Sequence, residues 1–252
     1  MSILTIERKI LERNDEVAAR NREFFRDYGV LALNIVSSPG AGKTSLLEKT
    51  IVGLRGYVRM AVIEGDVQTD LDARRVARYE VPVVQIITNG GCHLEAMLVM
   101  DAIRKMDLRD ARLLFIENVG NLVCPANYDL GEDMKIVILS VTEGDDKPLK
   151  YPAMVRNASV LVINKVDLLP YLECSVETLK NNAKVINPAL RIFEVSAKTG
   201  AGMEERFQWL LNYSGRSEWK SDFEYPSSGL SRELVSGPSS IASLPSSNSL
   251  VG

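Results

Sequence analysis

The sequence has little of what defines several large classes of protein. It contains 3 cysteines in 252 residues, too few for the disulfide framework of a small secreted protein, so we expect reduced thiols. Its formal net charge is only −3, and such a chain lacks the positive field that draws proteins to nucleic acid or to anionic membranes. We therefore expect neither of these partners.

Long apolar stretches are also missing. Apolar runs such as Val160–Ile163 are far shorter than the roughly 18 residues that a membrane-spanning helix needs. The first residues, Met1–Lys9, mix charged and apolar side chains and lack the apolar core and cleavage site of a signal peptide. These absences predict a cytoplasmic protein with no membrane partner.

The remaining composition is that of a globular protein, with 46% hydrophobic and 25% charged residues. Near-helical apolar spacing predicts that residues 1–29 form an amphipathic lead-in helix that packs on the domain after it. Over residues 30–213, short apolar runs alternate with helical patterns. This alternation predicts an α/β fold with a mostly parallel sheet and helices on both faces.

The last 39 residues, 214–252, differ in composition, because 13 are Ser, 4 are Gly and 3 are Pro. A segment with so few apolar side chains cannot bury enough surface to offset the entropy lost on ordering. We therefore predict a disordered tail. A short docking motif is the alternative interpretation of Leu230, Leu234, Val235 and Ile241.

A phosphate-binding loop follows the first predicted strand. The segment Ser37–Thr44 (SSPGAGKT) leads from Leu31–Val36 into a helical pattern that starts at Ser45. Glycines let backbone N–H groups face a phosphate, and the lysine and hydroxyl of such loops contact the β- and γ-phosphates and Mg²⁺. This pattern predicts a P-loop NTPase, although Ser37 replaces the usual first glycine. The predicted contacts are Gly40, Ala41, Gly42, Lys43, Thr44 and Ser45.

Two further segments indicate the base of the nucleotide. Asn164–Asp167 (NKVD) and Ser196–Lys198 (SAK) each follow a predicted strand. A carboxylate accepts hydrogen bonds from N1–H and the N2 amino group of guanine, whereas adenine presents an acceptor at N1. The pattern predicts GTP and GDP as ligands, although Asp167 alone could also be a helix N-cap. The predicted contacts are Asn164, Lys165, Asp167, Ser196, Ala197 and Lys198.

Acidic residues follow two other predicted strands. Glu117–Gly120 (ENVG) resembles the DxxG element of GTPases, whose glycine N–H meets the γ-phosphate. The segment Glu64–Asp72 contains four carboxylates, which would repel a triphosphate unless a cation such as Mg²⁺ lay between them. We assign Asp66, with Thr44, to that ion. The predicted catalytic residues are Lys43, Asp66, Asp72, Glu117 and Gly120.

Two details of this acidic region concern hydrolysis. Asp70 and Asp72 could orient the attacking water, or they could be the acids that ordinarily favour the first turn of a helix. GTPases often have a glutamine directly after DxxG, and this position is Asn121 here. We therefore expect slow intrinsic hydrolysis.

A cysteine and the only histidine of the chain are adjacent at Cys92 and His93. Taken separately, they are more typical of a small buried side chain and a helix cap. However, Cys124 follows the next predicted strand, so the two loops can be neighbours at one edge of the sheet. Thiolate and imidazole ligands suit Ni²⁺ or Zn²⁺ and do not suit Mg²⁺. The three residues are therefore candidate metal ligands.

One chain supplies three such ligands, which leaves a four-coordinate site incomplete. Water or a second subunit must complete it, and in the second case metal binding would be coupled to dimerisation. Cys174 has no comparable neighbours in the sequence. We treat it as structural.

Together these segments closely resemble the hydrogenase nickel incorporation GTPases, the HypB family, over residues 2–213. The resemblance implies a homodimeric GTPase that delivers nickel to the large subunit of [NiFe]-hydrogenase together with a HypA-type metallochaperone. It also implies Cys92, His93 and Cys124 as metal ligands, and Lys147 as a residue near the nucleotide. The matching segments are Ser37–Thr44, Glu64–Asp66, Gly91–Leu94, Glu117–Cys124, Glu143–Pro148 and Asn164–Asp167.

Three alternatives remain. The urease accessory GTPases share the phosphate loop, but their Cys-Pro-His motif separates the ligands by one residue, whereas Cys92 and His93 are adjacent here. A regulatory GTP switch would use the Cys/His cluster only for packing, and a kinase would need an acceptor pocket that no segment indicates. The N-terminal segment has neither Cys nor His, so we do not expect the nickel-storing N-terminus of some HypB proteins.

Overall fold

Seven strands form a single sheet, and helices precede, separate and follow them along the chain. The computed structural model describes residues 3–215, with side chains from residue 9 onwards, so almost all of the predicted tail, 214–252, lies outside the described residues. The strands are β1 (Leu31–Ser37), β2 (Met60–Asp66), β3 (Val83–Ile87), β4 (Leu113–Glu117), β5 (Met134–Ser140), β6 (Val160–Asn164) and β7 (Arg191–Glu194).

All pairings of these strands are parallel, in the order β3-β2-β4-β1-β5-β6-β7. One helix precedes the first strand, one follows the last, and the others lie between strands: α1 (Ile3–Tyr28), α2 (Lys43–Leu54), α3 (Leu71–Ala77), α4 (Ala96–Ile103), α5 (Lys147–Lys150), α6 (Pro152–Arg156), α7 (Val176–Ile186) and α8 (Met203–Tyr213). Short 3₁₀ turns occupy Cys124–Ala126, Val141–Glu143 and Val166–Tyr171. The predicted α/β class with a parallel sheet and an N-terminal helix is confirmed.

The strands are buried on both faces. In β1, the successive residues Ala32 and Leu33 are both 0% exposed, and successive side chains of a strand point to opposite faces. Ala32 belongs to a core cluster with Phe25 of α1 and Val99 of α4. Within residues 3–215, none of the helices is both long and apolar enough to cross a bilayer.

Several element boundaries differ from the predicted ones, and the differences matter for the site. The helix after the phosphate loop begins at Lys43 rather than Ser45. Strand β2 continues to Asp66, beyond the predicted end at Ile63, because Glu64 pairs in register with Glu117 of β4. Glu64 and Glu117 therefore belong to neighbouring strands of the sheet, and both residues are buried.

A glycine next to α1 provides the first test of this packing. Gly131 has φ +88°, and a Cβ atom there would lie 2.5 Å from the carbonyl oxygen of Ala18 in α1. We expect Gly131→Ala to lower the free energy of unfolding by about 2–4 kcal/mol, because left-handed strain adds to overpacking. Urea unfolding measures this, with Gly56→Ala as the control because no atom lies within 4 Å of its added Cβ. Equal losses in the two variants would contradict the packing argument.

Candidate functional site

The predicted phosphate loop lies between β1 and α2. Lys43 and Thr44 are in the first turn of α2, where backbone N–H groups have no partner within the helix. Gly42 has φ +100°, and a Cβ there would lie 2.5 Å from Nδ2 of Asn164. The ammonium of Lys43 donates to Oγ of Ser37 at 3.2 Å. The serine in place of the usual first glycine therefore contacts the lysine of the loop.

The predicted base-binding segments lie against this loop. Nδ2 of Asn164 donates to the carbonyl of Ala41 at 2.9 Å, and its Oδ1 accepts from the backbone N–H of Ala197 at 3.1 Å. The ammonium of Lys165 donates to the carbonyl of Gly40 at 2.7 Å. Asn164 thus joins the three segments that the sequence predicted to meet.

Asp167 is oriented by the neighbouring segment. Its Oδ1 accepts a 2.5 Å hydrogen bond from Oγ of Ser196. The N-cap of the following 3₁₀ turn is Lys165, with no side-chain capping bond, so the alternative that Asp167 is an N-cap is wrong. The carboxylate instead lies beside the Ser196–Lys198 segment, as a base contact requires.

Two buried carboxyl groups flank the phosphate loop. Glu64 and Glu117 are 2% and 3% exposed, and Oε1 of Glu117 accepts from Oγ1 of Thr44 at 2.8 Å. Burial raises the pKa of both, and the negative charge of Glu117 raises the pKa of Glu64 further. The hydrogen bond between them raises the pKa of Glu64 and lowers that of Glu117. Of the two, the pKa of Glu64 is the more strongly raised, so Glu64 is the member of the pair that more readily keeps a proton.

This pair fits a hard cation. One oxygen of Glu64 and one of Glu117 are buried without a hydrogen-bond partner, and the other oxygen of Glu117 accepts from the hydroxyl of Thr44. Buried polar atoms without partners cost free energy, and oxygen ligands are those that Mg²⁺ prefers. The sequence placed Glu117 near the γ-phosphate but gave no sign of its pairing with Glu64, which depends on strand register.

The other acids predicted near the phosphates have local partners. Oδ1 of Asp66 accepts from the backbone N–H groups of Gln68 and Thr69 at 2.9 and 2.7 Å. Burial opposes its ionisation, but these bonds prevail and lower its pKa. Asp72 pairs with Arg75 at 2.9 Å within α3. Asp72 as a water-orienting residue stays a prediction.

Lys147 begins α5, and its ammonium lies 5.1 Å from the ring centroid of Tyr151. Its approach to the nucleotide also stays a prediction. Ser45 follows Thr44 in α2, and its Oγ accepts from Arg75 at 3.4 Å.

The candidate metal ligands lie together. One ligand atom from each of Cys92, His93 and Cys124 falls within 4.8 Å of the others. Both Cys92 and His93 are in the loop before α4, which begins at Ala96, rather than at the start of the helix. Sequence reasoning therefore predicted the group correctly and misplaced the helix boundary by a few residues.

The chemistry of the cluster suits a soft metal ion. Nε2 of His93 is buried without a hydrogen-bond partner, and burial lowers the pKa of this imidazole. Neutral imidazole is the form that binds metals. The neighbouring Cys124 thiol and burial raise the pKa of Cys92, as expected for two thiols that share a site. Cys174 lies apart from this group and packs against the core around α6 and α7.

Tyr128 and Lys135 support the cluster and were not predicted from the sequence. The Tyr128 ring centroid lies 3.9 Å from that of His93. The ammonium of Lys135 donates to the carbonyls of Pro125, Ala126 and Tyr128 at 3.0–3.2 Å. Burial lowers the pKa of Lys135. This lysine fixes the loop on which Cys124 and Tyr128 lie.

The segment after β4 contacts both sites. Oδ1 of the buried Asn118 accepts from the backbone N–H of Leu94 at 3.0 Å, directly after His93. Nδ2 of Asn121 donates to the carbonyl of Cys92 at 3.4 Å. A Cβ atom at Gly120 would lie 3.2 Å from Cα of Pro39 in the phosphate loop. The same five residues, 117–121, thus contact the phosphate loop, the backbone of the candidate ligand Cys92 and the backbone of Leu94, the residue after His93.

Comparisons with known proteins agree with this geometry. Residues 31–194 match the family described as CobW/HypB/UreG, nucleotide-binding domain. The chain is 50% identical over 208 residues to the hydrogenase maturation factor HypB of Escherichia coli (strain K12), covering 82% of this chain and 72% of that protein.

Two solved structures are also similar. HypB from Archaeoglobus fulgidus has a TM-score of 0.76 at 42% identity, covering 81% of this chain and all of that one. HypB from Helicobacter pylori in complex with nickel has a TM-score of 0.77 at 38% identity, covering 83% and 99%. The chain therefore belongs to the HypB family of hydrogenase maturation factors, within the CobW/HypB/UreG nucleotide-binding proteins.

Proposed function

We propose that this protein is a GTP-binding and GTP-hydrolysing metallochaperone that helps to insert nickel into [NiFe]-hydrogenase. The observation that supports this most is the group Cys92, His93 and Cys124, whose ligand atoms lie within 4.8 Å of one another. A similar HypB structure is described in complex with nickel. Thiolate and imidazole ligands favour Ni²⁺ or Zn²⁺, and we take nickel as the cargo.

The nucleotide site supplies the hydrolytic chemistry. We assign the phosphates to Gly40–Ser45, with Lys43 at the β- and γ-phosphates, and guanine to Asp167 and the segments around it. Thr44 and Asp66 would hold Mg²⁺, and Glu117 would orient Thr44 by accepting a hydrogen bond from its hydroxyl. When bound, Mg²⁺ neutralises charge on the phosphate oxygens. Gly120 would bind the γ-phosphate through its N–H, and Asp72 would orient water.

Slow hydrolysis follows from the environment of Asn121. Its side chain donates to the carbonyl of Cys92 and accepts from the backbone N–H of Val123. An amide engaged in this way is not free to orient an attacking water, which in other GTPases is the role of a glutamine. The residue instead links the nucleotide segment to the metal segment.

The partners follow from the ligand count and from the family. Three soft ligands per chain leave a four-coordinate metal incomplete, and a second copy of the chain can supply the rest. We therefore propose a homodimer linked by GTP and metal. A HypA-type metallochaperone and the hydrogenase large subunit are the proposed donor and acceptor of nickel.

The two sites would communicate through residues 117–121. GTP and Mg²⁺ would order the segments around Asp66 and Gly120, and hydrolysis would release them. Cys124 lies four residues after Gly120, and Asn118 and Asn121 bond the backbone of Leu94 and Cys92. Movement at the γ-phosphate would therefore displace metal ligands, and this supports nucleotide-gated release of nickel.

Titration of the metal-free protein with Ni²⁺ tests the proposal. We expect nickel affinity to differ about tenfold between GDP and a non-hydrolysable GTP analogue, within the usual range of allosteric coupling. Cys92→Ala should weaken binding by about 10-fold to 100-fold, because a ligand is lost. Cys174→Ala is the matched control and should bind as the wild type does.

Other outcomes separate the alternatives. Equal nickel affinity with both nucleotides would exclude gating, since a ligand shifts only an equilibrium whose states it binds differently. Absence of nickel binding in every nucleotide state would leave a regulatory GTP switch in which the Cys/His group only packs.

A further inference from the structure

Helix α1 contacts both segments that contain the candidate metal ligands. Cys92 and His93 precede α4, whereas Cys124 and Tyr128 lie in the loop between β4 and β5. Two buried asparagines of α1, Asn14 and Asn21, are 7% and 0% exposed. Buried polar groups are usually hydrogen-bonded, so the partners of these amides are informative. Asn14 is bonded at both ends, whereas Asn21 is bonded through Nδ2 and its Oδ1 has no partner.

Asn14 bonds both segments with one side chain. Oδ1 accepts from the backbone N–H of Ala96 at 2.9 Å, and Nδ2 donates to the carbonyl of Asp129 at 2.7 Å. Ala96 is the first residue of α4, and the N-cap residue Glu95 makes no side-chain capping bond. An N-terminal N–H group of a helix needs an outside acceptor. Asn14 supplies that acceptor from another helix.

Asn21 and Arg22 repeat the connection about two turns further along α1. Nδ2 of Asn21 donates to the carbonyls of Ala96 and Leu130 at 2.8 and 2.9 Å. Arg22 pairs with the carboxylate of Asp129 at 2.8 Å. Helix α1 therefore makes more than one bond to each of the same two segments, the start of α4 and residues 129–130.

The connected residues lie next to the cluster. Ala96 is three residues after His93, and Asp129 directly follows Tyr128, whose ring lies against that of His93. We propose that Asn14 is a positioning residue for the metal site, because it sets the spacing between the His93 segment and the Cys124–Tyr128 segment. The functional part of this inference rests on the proposed nickel binding. The structural part, that Asn14 sets the spacing of the two segments, rests only on these contacts.

The variant Asn14→Asp tests this with little change of shape. It keeps an acceptor for the Ala96 N–H but places a carboxylate oxygen against the Asp129 carbonyl. Asn187→Asp is the matched control, because Nδ2 of Asn187 also donates to backbone carbonyls, of Val155 and Ala158 at 3.1 and 2.8 Å. Asn14→Ser, which adds no charge and cannot span both partners, is the second variant should Asn14→Asp fail to fold.

A metal-independent measurement addresses the geometry. Diamide oxidises two close thiols to a disulfide and is itself reduced to the hydrazine. We expect the Cys92–Cys124 disulfide to form about fivefold to tenfold more slowly in either Asn14 variant, because the effective concentration of the two thiols falls. An unchanged rate, or an equal slowing in Asn187→Asp, would overturn the proposal whether or not the protein binds nickel.

Nickel titration in a double-mutant cycle addresses the function. We expect Asn14→Asp to weaken nickel binding about tenfold, with GDP affinity within about twofold of wild type. If Asn14 acts through His93, adding Asn14→Asp to His93→Ala should cause little further loss. Additive losses, or a parallel loss of GDP affinity, would mean a general structural role. Absence of nickel binding by the wild type would contradict the proposed function instead.

Discussion

Replacing Asp167 with asparagine should weaken GTP binding by about 10³-fold and make XTP a ligand. Guanine presents donors at N1 and at its 2-amino group, and a carboxylate accepts both. An asparagine amide presents its NH₂ group to at least one of them, which leaves buried donors unpaired. Sites built around such bonds discriminate by up to about 10⁴–10⁵-fold. Xanthine has a carbonyl at C2, which accepts from that NH₂ group.

In the structure, the contacts around Asp167 can be kept when asparagine replaces it, so we expect the base specificity to change without loss of the site. Oγ of Ser196 donates to Oδ1 of Asp167 at 2.5 Å, and an asparagine retains an oxygen for that bond. The phosphate loop keeps its own connection through Asn164. Fluorescence titration with labelled GTP, XTP and ATP measures the three affinities.

Ser196→Ala is the control for Asp167→Asn. It removes the bond that orients the carboxylate but leaves its charge, so we expect a loss of about tenfold for GTP with no gain for XTP. An Asp167→Asn variant that still prefers GTP over XTP would show that the base is recognised by other residues.

The nucleotide site could be predicted because its signals are local in the sequence. Ser37–Thr44, Asn164–Asp167 and Ser196–Lys198 each directly follow a predicted strand, and the ends of parallel strands meet at one edge of a sheet. Cys92, His93 and Cys124 could be grouped by the same argument. Topology alone thus determined which segments lie together.

The parts that could not be predicted depend on register and on contacts between distant segments. Asn14 and Asn21 are ordinary polar positions of an amphipathic helix in the sequence, and their partners lie 75–115 residues away. Tyr128 gave no signal because its role depends on His93. Glu64 pairs with Glu117 only because β2 extends three residues beyond its predicted end.

Replacing the Glu117 carboxylate should greatly slow GTP hydrolysis. We expect Glu117→Gln to lower the single-turnover rate of GTP hydrolysis by about 10²–10³-fold, with GTP affinity changed little. Glu117 accepts from the hydroxyl of Thr44, the residue that we assign to Mg²⁺. An amide would keep the shape but would lose the charge that favours a cation there.

The pH dependence follows from the raised pKa of the pair. Burial raises the pKa of Glu117 and of Glu64 above the ordinary glutamate value. The carboxylate form therefore becomes populated only at higher pH, and protonation is favoured as the pH falls. We expect the hydrolysis rate to rise with pH above the usual range of a glutamate. The rate of Glu117→Gln should lack that rise.

Glu64→Gln distinguishes the two members of the pair. The pKa of Glu64 is more strongly raised than that of Glu117, so a neutral glutamine at position 64 resembles the protonated form of this acid. The charge beside Thr44 would remain on Glu117, so we expect Glu64→Gln to hydrolyse GTP within about fivefold of the wild-type rate. A loss as large as that of Glu117→Gln would place the essential carboxylate on Glu64. The proton would then lie on the acid that contacts Thr44, and the roles of the two residues would be exchanged.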